Sequence, residues 1–485
     1  MNQDKLAALH SRYNPQAEAE RYINVLSLDE KTRFFILVEP GLGYMIAPLR
    51  KKVPGARIIA LHADAHPAAD KAIPAVQRPD SRWHPGLGMT VQDFLEMEIP
   101  DSAAAEIRLL EWRPALALYG SAYLALVEES AEFIKRSDAN ARTFNAFGKR
   151  WLRNFFNNLE KIKNIVRPAP LSLPILVTGA GPSLEDAIPL IRERQGSLFV
   201  LAASSSAMSL KAAGIVPDMV ISTDGGLWAL FHLVECVRGN PISYPFAASL
   251  TAALPSQCAA LPVLPISDGS LWQTLILKGL NIPFIALPQR GTVSASALDL
   301  AFALTSGDIF IAGLDLENSG IRSHVRPYSF ERFLEDASNR LNPVYSQTFK
   351  RSSLLKDGGS YAIYASWFEK QLAAYPKRLY PLGKNNNVFS AIEGLPGNYL
   401  PQRRPETEAG ATKAKENLLF PCAPLRLASV IGSEKSLPLK AYEILEKALQ
   451  VPAHSQVLRK ELGPIFPSQD FTEALRTIAH DGRNG

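Results

Sequence analysis

The sequence predicts an α/β protein with a doubly wound, Rossmann-like sheet at its centre, a smaller α/β domain before it and a mainly helical region after it. Short apolar runs of strand length alternate with segments of helical periodicity, which is the pattern of parallel sheets covered by helices. The chain has 485 residues. Because single hydrophobic cores rarely grow beyond about 250 to 300 residues, two or three domains are expected.

Composition excludes several classes of protein. Hydrophobic residues make up 47% of the chain and charged residues 20%, which is typical of a folded globular protein and not of a disordered or fibrous one. The formal net charge of +5 is small for this length and is not gathered into a basic run. It therefore does not indicate binding to nucleic acid, and it is compatible with small anionic substrates.

Cysteine usage and the amino terminus bear on the cellular compartment. Cys236, Cys258 and Cys422 lie far apart, which favours neither a disulfide framework nor a zinc site and indicates a reducing compartment. The first residues lack the basic and apolar regions of a secretory signal, and no uninterrupted apolar stretch reaches roughly eighteen residues. We therefore expect a cytoplasmic protein without a membrane span.

Residues 1–166 are expected to form an N-terminal α/β domain with a helical connector. Apolar runs predict strands at Phe34–Val38, Arg57–Leu61 and Ala115–Tyr119. The segment from Ser121 to about Val166 has apolar residues at helical spacing and charges on the other face, which predicts a long helix.

Two motifs in this domain give only weak indications of a binding site. The run EPGLGYM after the first strand is similar to the first motif of methyltransferases, but the third glycine is missing and no ribose-binding acid is evident. His62 and His66 in LHADAH could be metal ligands. Their position at the end of a strand, where alternate residues face solvent, favours a structural role instead.

Residues 167–330 are expected to form the central catalytic domain. The stretch RPAPLSLP contains three prolines and cannot continue a helix, so we place a domain boundary there. Helical periodicity between apolar runs predicts a doubly wound sheet. Its six predicted strands are Ile175–Thr178, Leu198–Ala202, Met219–Thr223, Val263–Ile266, Phe284–Leu287 and Ile309–Ala312.

Residues 331–485 are expected to be mainly helical. The segments FERFLEDASNRL, SYAIYASWFEKQLAAY and KAYEILEKALQ have helical spacing of their apolar residues. Between them, the polar and proline-containing stretch from Leu395 to Pro421 is typical of a linker or an exposed loop.

The run ILVTGAGPSLEDAIPLI predicts a strand, a glycine turn and a helix. Gly179 and Gly181 allow a sharp turn and a close approach to a ligand, and the Ser183 hydroxyl can cap the helix. The N–H groups of such a turn, together with the helix dipole, favour a phosphate. A glycine turn of this kind also serves plain packing of a helix on a strand, and both interpretations stay open.

The next two predicted strands end in polar side chains. Ser204 and Ser205 follow the second strand, and Asp224 follows the third. Because ligands of open α/β sheets bind at the carboxyl ends of the strands, these groups are expected to face the same crevice as the glycine turn. The serines could instead cap a helix, whereas the position of Asp224 at a strand end favours a functional role.

A further cluster lies in GTVSASALDLAFALTSGDIFIAGLDLENSGIRSHVRPY. Gly291 and Thr292 open a helix and can present hydroxyl and N–H groups. Asp315 follows a buried strand and His324 lies on the loop after it, so together they offer a carboxylate and a general base. The alternatives are a helix cap for Thr292, a turn for Asp315 and a solvated loop for His324.

Four motifs in order, GAGPSL, GIVPD with its STD strand, GTVSASALDLA and GLDL followed by His324, resemble those of the motility accessory factor family of flagellin glycosyltransferases. That family shares its central domain with the archaeal 6-hydroxymethylpterin diphosphokinases, and this domain is similar to that of bacterial sialyltransferases. The resemblance covers about residues 170 to 330. It extends less sharply to FFILVEPGLGY and RWLRNFFNNL in the first domain.

The resemblance implies transfer of a nonulosonic acid, such as pseudaminic, legionaminic or sialic acid, from its CMP-activated form to serine or threonine of flagellin. No cofactor or metal is then required. Asp224 and the two serines Ser204 and Ser205 would lie near the ribose or sugar, and His324 would deprotonate the acceptor hydroxyl. The cytidine and phosphate of the donor would rest on Gly179, Gly181, Pro182 and Ser183.

Two other functions stay open at this point. In the diphosphokinase branch, pyrophosphate passes from ATP to a pterin alcohol, and Asp224 and Asp315 would hold Mg²⁺. A chain that keeps the fold but has lost catalysis would be a binding protein. The segments of about 165 residues on each side of the central domain favour the transferase, because they can hold a protein acceptor.

Overall fold

The chain forms two compact units in the computed structural model, residues 1–148 with 462–467 and residues 149–461 with 468–485. The structure describes residues 8–29, 31–64, 73–99, 101–237, 245–259, 261–316, 324–346, 360–382, 425–426, 437–466 and 471–481. His66 and the polar stretch 395–421 assigned above to a linker lie outside these ranges. Within them, no helix combines the length and the apolarity needed to cross a membrane.

The first unit has a four-stranded parallel sheet in the order β3-β2-β1-β4. Its strands are β1 (Phe34–Val38), β2 (Arg57–Leu61), β3 (Ser81–Trp83) and β4 (Ile107–Glu111). The two central strands are almost wholly buried, as expected when helices cover both faces of a parallel sheet. The helices are α1 (Pro15–Val25), α2 (Ile46–Lys52), α3 (Val91–Glu98), α4 (Pro114–Tyr119) and α5 (Ser121–Lys161), the last of which continues into the second unit.

The predicted strand at Ala115–Tyr119 is wrong. This run is the helix α4, which starts with Pro114 in its first turn and stops before Gly120 at φ +49°. Proline suits the first turn of a helix because its missing N–H has no partner there. The strand in this part of the chain is β4, in which Arg108 interrupts an otherwise apolar run and hides the strand pattern.

His10 ties the glycine turn after β1 to the amino-terminal segment of this unit. Its Nε2 atom accepts a hydrogen bond from the Leu42 N–H at 3.0 Å, and its ring leaves no room for a Cβ atom on Gly41. Burial lowers the pKa of His10 to about 4, although Glu18 opposes the shift. The ring is therefore neutral at neutral pH, as an acceptor nitrogen must be.

We expect the first unit to lose stability as the pH falls from about 7.5 to 4.5, because the unfolded chain binds a proton at His10 that the folded chain excludes. A pKa lowered from 6.5 to about 4 contributes stability above pH 6.5 that is lost toward pH 4. Over this interval the loss is about 2.5 kcal/mol. Urea unfolding of the wild type and of His10→Asn at both pH values isolates this contribution, and equal pH slopes in the two proteins would contradict it.

The second unit has a ten-stranded sheet in the order β13-β12-β6-β7-β8-β9-β10-β5-β14, with β11 paired to β10. All of its strand pairs are parallel except β5 with β14. The strands are β5 (Asn164–Ile165), β6 (Ile175–Thr178), β7 (Phe199–Ala203), β8 (Met219–Ser222), β9 (Phe246–Ser249), β10 (Pro262–Ser267), β11 (Ile285–Ala286), β12 (Ile309–Ala312), β13 (Leu379–Leu382) and β14 (Leu425–Arg426).

Helices alternate with the strands of this sheet along the chain, and further helices follow its last strand. α11 contacts β6, β7 and β8, and every residue of β6 and β12 is buried. These helices are α6 (Leu184–Arg194), α7 (Ala207–Ala212), α8 (Leu227–Val237), α9 (Ser256–Ala259), α10 (Leu271–Gly279), α11 (Val293–Leu304), α12 (Glu331–Asp336), α13 (Ser360–Ala374), α14 (Leu437–Leu449), α15 (Pro452–Leu462) and α16 (Phe471–Asp481).

The predicted α/β class with parallel sheets is confirmed. From β6 the chain adds β7, β8, β9 and β10 on one side, and then returns to place β12 on the other side of β6. This reversal is the double winding that the sequence pattern predicts, and it makes the gap between β6 and β12 the topological switch point of the sheet.

Candidate functional site

The glycine turn lies at the switch point and is packed against the loop that follows β12. Gly181 N–H donates to the Gly313 carbonyl at 2.7 Å. A Cβ atom on Gly313 would lie 2.5 Å from the Gly179 carbonyl oxygen, and one on Gly179 would strike the Gly313 carbonyl. These glycines therefore let two backbones meet at the crevice, which is the packing interpretation of the motif. A role in phosphate binding stays a prediction.

Asp315 fastens the turn from the opposite loop. Its carboxylate accepts hydrogen bonds from the Ser183 N–H at 2.7 Å and from the Ser183 hydroxyl, and both residues are buried. The hydroxyl of Ser183 does not cap α6, because Asp315 engages it. A side chain on Gly181 would strike the same carboxylate, so this glycine is required by Asp315.

Three serines follow β7, the strand that lies next to β6 in the sheet. Ser204 is buried and its N–H donates to the Ile221 carbonyl, whereas Ser205 is partly exposed. The hydroxyl oxygen of the neighbouring Ser206 lies 2.9 Å from the Thr178 hydroxyl. Ser206 therefore links the ends of β6 and β7, and Ser205 is the serine of this turn that is open to a ligand.

Asp224 is exposed after the end of β8, and its carboxylate accepts the Gly226 N–H at 2.7 Å. Helix α5 holds this loop. Trp151 fills the space where Gly225 would carry a Cβ atom, and Asn154 donates to the carbonyls of Gly225 and Thr251. The motif RWLRNFFNNL thus positions the loop that carries Asp224, a role that the sequence alone does not indicate because the contacts are distant along the chain.

Asn158 completes this support one helical turn further along α5. It is 3% exposed, and its amide donates to the carbonyls of Leu250 and Ala252 at 2.8 Å each. Both carbonyls belong to the loop after β9, beside the loop of Asp224. We therefore infer that Asn158 is a positioning residue for this edge of the sheet.

Asn158→Ala should lower the free energy of unfolding by about 2 to 3 kcal/mol, because two buried carbonyls lose their donor and a small cavity is left. Asn154→Ala, at a half-buried position of the same helix face, should cost about 1 kcal/mol. Chemical denaturation followed by tryptophan fluorescence checks both values. Equal losses in the two variants would contradict the role given to burial.

Gly291 and Thr292 follow β11, which pairs with β10 and not with β6. Thr292 is the amino-terminal cap of α11, since its hydroxyl accepts the Ala295 N–H. The preceding Arg290 pairs with Asp299 at 2.7 Å. Burial raises the pKa of Asp299 while Arg290 opposes that shift. The helix-cap interpretation of Thr292 therefore accounts for its hydroxyl.

The loop of His324 runs along the glycine turn. Val325 N–H donates to the Ala180 carbonyl at 2.9 Å, and Arg326 N–H donates to the Glu185 carboxylate at the start of α6. The imidazole of His324 is partly exposed and stacks on Tyr328, with ring centroids 4.0 Å apart and planes 17° apart. A histidine with a fixed ring plane is therefore held beside the switch point.

An aromatic cluster adjoins these loops. Tyr328, which stacks on His324, also contacts the buried His232, and the centroids of the Tyr328 and His232 rings are 5.3 Å apart. Beyond it, Trp228 packs edge-on against Phe330 and Phe333 at 5.2 Å each. Trp228 is 45% exposed and Phe333 51% exposed. The residues that flank Asp224 and His324 thus present an apolar surface to solvent.

The second unit is similar to known proteins. Residues 149–320 match the family model described as 6-hydroxymethylpterin diphosphokinase MptE-like. Two uncharacterized proteins of Treponema pallidum (strain Nichols) are similar. One is 28% identical over 280 residues, which are 58% of this chain and 60% of that protein. The other is 24% identical over 219 residues, 34% of this chain and 52% of that protein, so the matches span about half to three fifths of these relatives.

A solved structure shares the fold of the chain. The structure of the Maf glycosyltransferase from Magnetospirillum magneticum AMB-1 aligns with a TM-score of 0.56 at 13% sequence identity, over 97% of this chain and 83% of the other. At this identity the likeness shows the fold. The predicted resemblance is thus confirmed: residues 149–320 match the MptE-like family model, and the chain shares the fold of the Maf glycosyltransferase structure.

Proposed function

We propose that this protein is a glycosyltransferase that moves a nonulosonic acid of the pseudaminic, legionaminic or sialic type from its CMP-activated form to serine or threonine of flagellin. The observation that carries the proposal is the convergence of loops at the switch point. The loop of Asp315 and the loop of His324 are each hydrogen-bonded to the glycine turn there.

The proposal gives each accessible group a task. The donor lies along the carboxyl ends of β6, β7 and β8, where Ser205 and Asp224 are open to solvent. His324 takes the proton of the acceptor hydroxyl as that oxygen attacks the anomeric carbon, and CMP leaves. The phosphate of CMP is a good leaving group, so the proposal assigns no metal.

The buried groups act indirectly. Asp315 and Ser183 hold the glycine turn in the shape that the donor phosphate requires, and Gly179, Gly181 and Pro182 form its backbone. Asp315 is therefore a positioning residue and does not touch the sugar. This revises the task that the sequence alone suggests for it, and it follows from the two hydrogen bonds that its carboxylate accepts from Ser183.

The exposed aromatic surface supports a protein acceptor. Trp228 and Phe333 lie beside the loops of Asp224 and His324, and aromatic side chains are enriched where proteins bind one another. A polypeptide that presents a serine or threonine at this surface would bring its hydroxyl to His324. In this proposal flagellin is the acceptor.

A second candidate, transfer of pyrophosphate from ATP to a pterin alcohol, is favoured by the family that residues 149–320 match. Magnesium would then have to be held by Asp224 and Asp315. The Asp315 carboxylate is buried and is engaged by Ser183, so it does not fit a magnesium ligand, which needs oxygens directed at the ion. This observation supports the glycosyltransferase over the kinase.

Incubation of the purified chain with flagellin and each CMP-activated nonulosonic acid tests the proposal. We expect intact-mass analysis to show flagellin heavier by whole nonulosonic acid residues, with release of CMP and without added Mg²⁺. Thermal stability supplies a second readout, because a nucleotide at about 100 times its dissociation constant adds about 2.7 kcal/mol. Stabilisation by ATP only with Mg²⁺, and no transfer to flagellin, would favour the kinase; no transfer and no nucleotide binding would favour a binding protein.

A further inference from the structure

Three exposed rings lie together on the second unit, and we call them the aromatic surface: Trp228 and Phe231 on α8 and Phe333 on α12. The centroid of the Trp228 ring lies 6.0 Å from that of Phe231 and 5.2 Å from that of Phe333. Each of these residues is at least 37% exposed. Scattered apolar residues are normal on a protein surface, whereas contiguous ones mark places where a partner binds.

The aromatic surface is held in place by the core beneath it. Phe330 is 3% exposed, and its ring centroid lies 5.2 Å from that of Trp228 and 6.2 Å from that of Phe231. Edge-on contacts of this kind fix the ring planes. Because these side chains are already ordered, little rotamer freedom is lost when a partner binds them. The aromatic surface is therefore preorganised for binding.

The aromatic surface adjoins the groups to which the proposed transfer assigns chemistry. Helix α8 starts three residues after Asp224, and α12 starts seven residues after His324. The ring of His324 stacks on Tyr328 at 4.0 Å. Phe330 follows, with its ring centroid 5.2 Å from that of Tyr328 and 5.2 Å from that of Trp228. A continuous series of ring contacts thus leads from His324 to the aromatic surface.

These ring contacts limit the distance between the two ends of the series. The His324 and Trp228 rings cannot be farther apart than the three steps together, about 14 Å, and an extended polypeptide covers that distance in about four residues, since it advances about 3.3 Å per residue. An acceptor whose hydroxyl meets His324 therefore places a side chain within about four residues of that hydroxyl on the aromatic surface.

The size of the aromatic surface suits a short segment and not a second copy of the protein. A stable interface between two proteins uses about 20 to 30 residues on each side. Within the described ranges, Leu227 extends the three rings by one exposed side chain, because it is an i, i+4 neighbour of Phe231 on α8. Four side chains are sufficient to anchor one or two apolar side chains of a partner.

We propose, on the basis of the transfer described above, that the aromatic surface selects the acceptor by binding an apolar side chain within about four residues of the serine or threonine to be modified. Trp228 and Phe333 contact that side chain, and Phe231 flanks it. The bound side chain sets the register of the segment, so that its hydroxyl meets His324. Trp228 and Phe333 are therefore specificity-determining residues for the acceptor and take no part in the chemical step.

Binding of synthetic peptides to the full chain tests the aromatic surface without requiring transfer. Each peptide has one serine among glycine and asparagine residues. The near peptide has a leucine three residues to each side of the serine, the far peptide has these leucines ten residues away, and the third peptide has asparagine in their place. We expect fluorescence anisotropy to show that both leucine peptides bind at least about tenfold more tightly than the asparagine peptide, as is typical of an aromatic anchor in a protein interface.

Variants of the aromatic surface locate this binding. Trp228→Ala and Phe333→Ala should each reduce the preference for leucine to less than about threefold, and Trp228→Phe, which keeps a ring, should retain most of it. The matched control is Phe147→Ala, which removes a ring of similar exposure, 41%, from the first unit and should leave the preference unchanged. Equal binding of leucine and asparagine peptides, or a preference that survives both alanine variants, would overturn the inference. A wild-type dimer that Trp228→Ala dissociates in analytical ultracentrifugation would also overturn it.

Transfer of the nonulosonic acid to the same peptides distinguishes failure of this inference from failure of the proposed function. We expect kcat/KM to be at least about tenfold higher for the near peptide than for the asparagine peptide, and the far peptide to resemble the asparagine peptide. Equal kcat/KM for the near and far peptides would overturn the inference while the transferase stands. No transfer to any peptide or to flagellin, with the binding preference intact, would contradict the proposed function and leave a surface that binds polypeptides.

Discussion

Replacing Gly313 by alanine is expected to lower the free energy of unfolding of the second unit by about 3 kcal/mol or more, which is typical of overpacking combined with backbone strain. Gly313 has φ +68°, and its new Cβ atom would lie 2.5 Å from the Gly179 carbonyl oxygen and 2.8 Å from the Leu184 Cβ atom. The oxygen belongs to a backbone held between buried strands, so it cannot move aside cheaply.

Gly214→Ala is the matched control for this change. Gly214 has a similar φ of +71°, and nothing lies within 4 Å of the position of its Cβ atom. Its substitution should cost only the left-handed strain, about 1 kcal/mol. Urea unfolding of the two variants separates the clash from the strain. A difference below about 0.5 kcal/mol between them would show that the two backbones at the switch point are not packed as described.

The local structure of the glycine turn can be predicted from the sequence, but its contacts cannot. The pattern GAGPSL predicts a strand, a turn and a helix, and the structure has all three at those residues. The partner of the turn could not be predicted, because Ser183 and Asp315 are 132 residues apart. Local propensity does not indicate which loops contact each other. From the sequence alone, Asp315 is therefore either a turn residue or a site residue, and only the fold shows its contact with Ser183.

Some strands of the second unit can be predicted from the sequence and others cannot. β6 and β12 are predicted with their observed ends, because each is a short apolar run that is buried on both faces. β9 was missed, since FAAS is rich in alanine and serine and carries no strand signal of its own. β13 was missed because a proline lies inside LYPL. It is tolerated there because β13, among the strands that the structure describes, lies at the edge of the sheet beside β12.

The positioning residues of helix α5 were also beyond sequence reasoning. Trp151, Asn154 and Asn158 lie in a run that resembles a known family, but their partners are backbone carbonyls and glycines more than seventy residues away. An amide side chain on a helix face is usually solvated, and only the fold shows that these bind loops. The support of Asp224 is therefore a property of tertiary structure.

His324→Ala is expected to reduce turnover about 100-fold to 10,000-fold if the proposed transfer is correct, because a general base typically contributes that much to the rate. Binding of the CMP-activated donor should be unchanged, since His324 serves the acceptor hydroxyl in the proposal. Transfer to flagellin followed by mass spectrometry gives the rate, and calorimetry with CMP gives the affinity.

His324→Phe distinguishes a base from a packing residue. A phenyl ring can keep the stack on Tyr328, which has ring centroids 4.0 Å apart, but it has no nitrogen to accept a proton. If His324 is the base, His324→Phe is as slow as His324→Ala although it retains the folded loop, because the loop is tied to the glycine turn by the backbone bond from Val325 to Ala180. If His324→Phe instead restores turnover to near the wild-type rate, the ring only supports the loop. The proton must then be accepted by another group, and the exposed carboxylate of Asp224, after the end of β8, is the candidate.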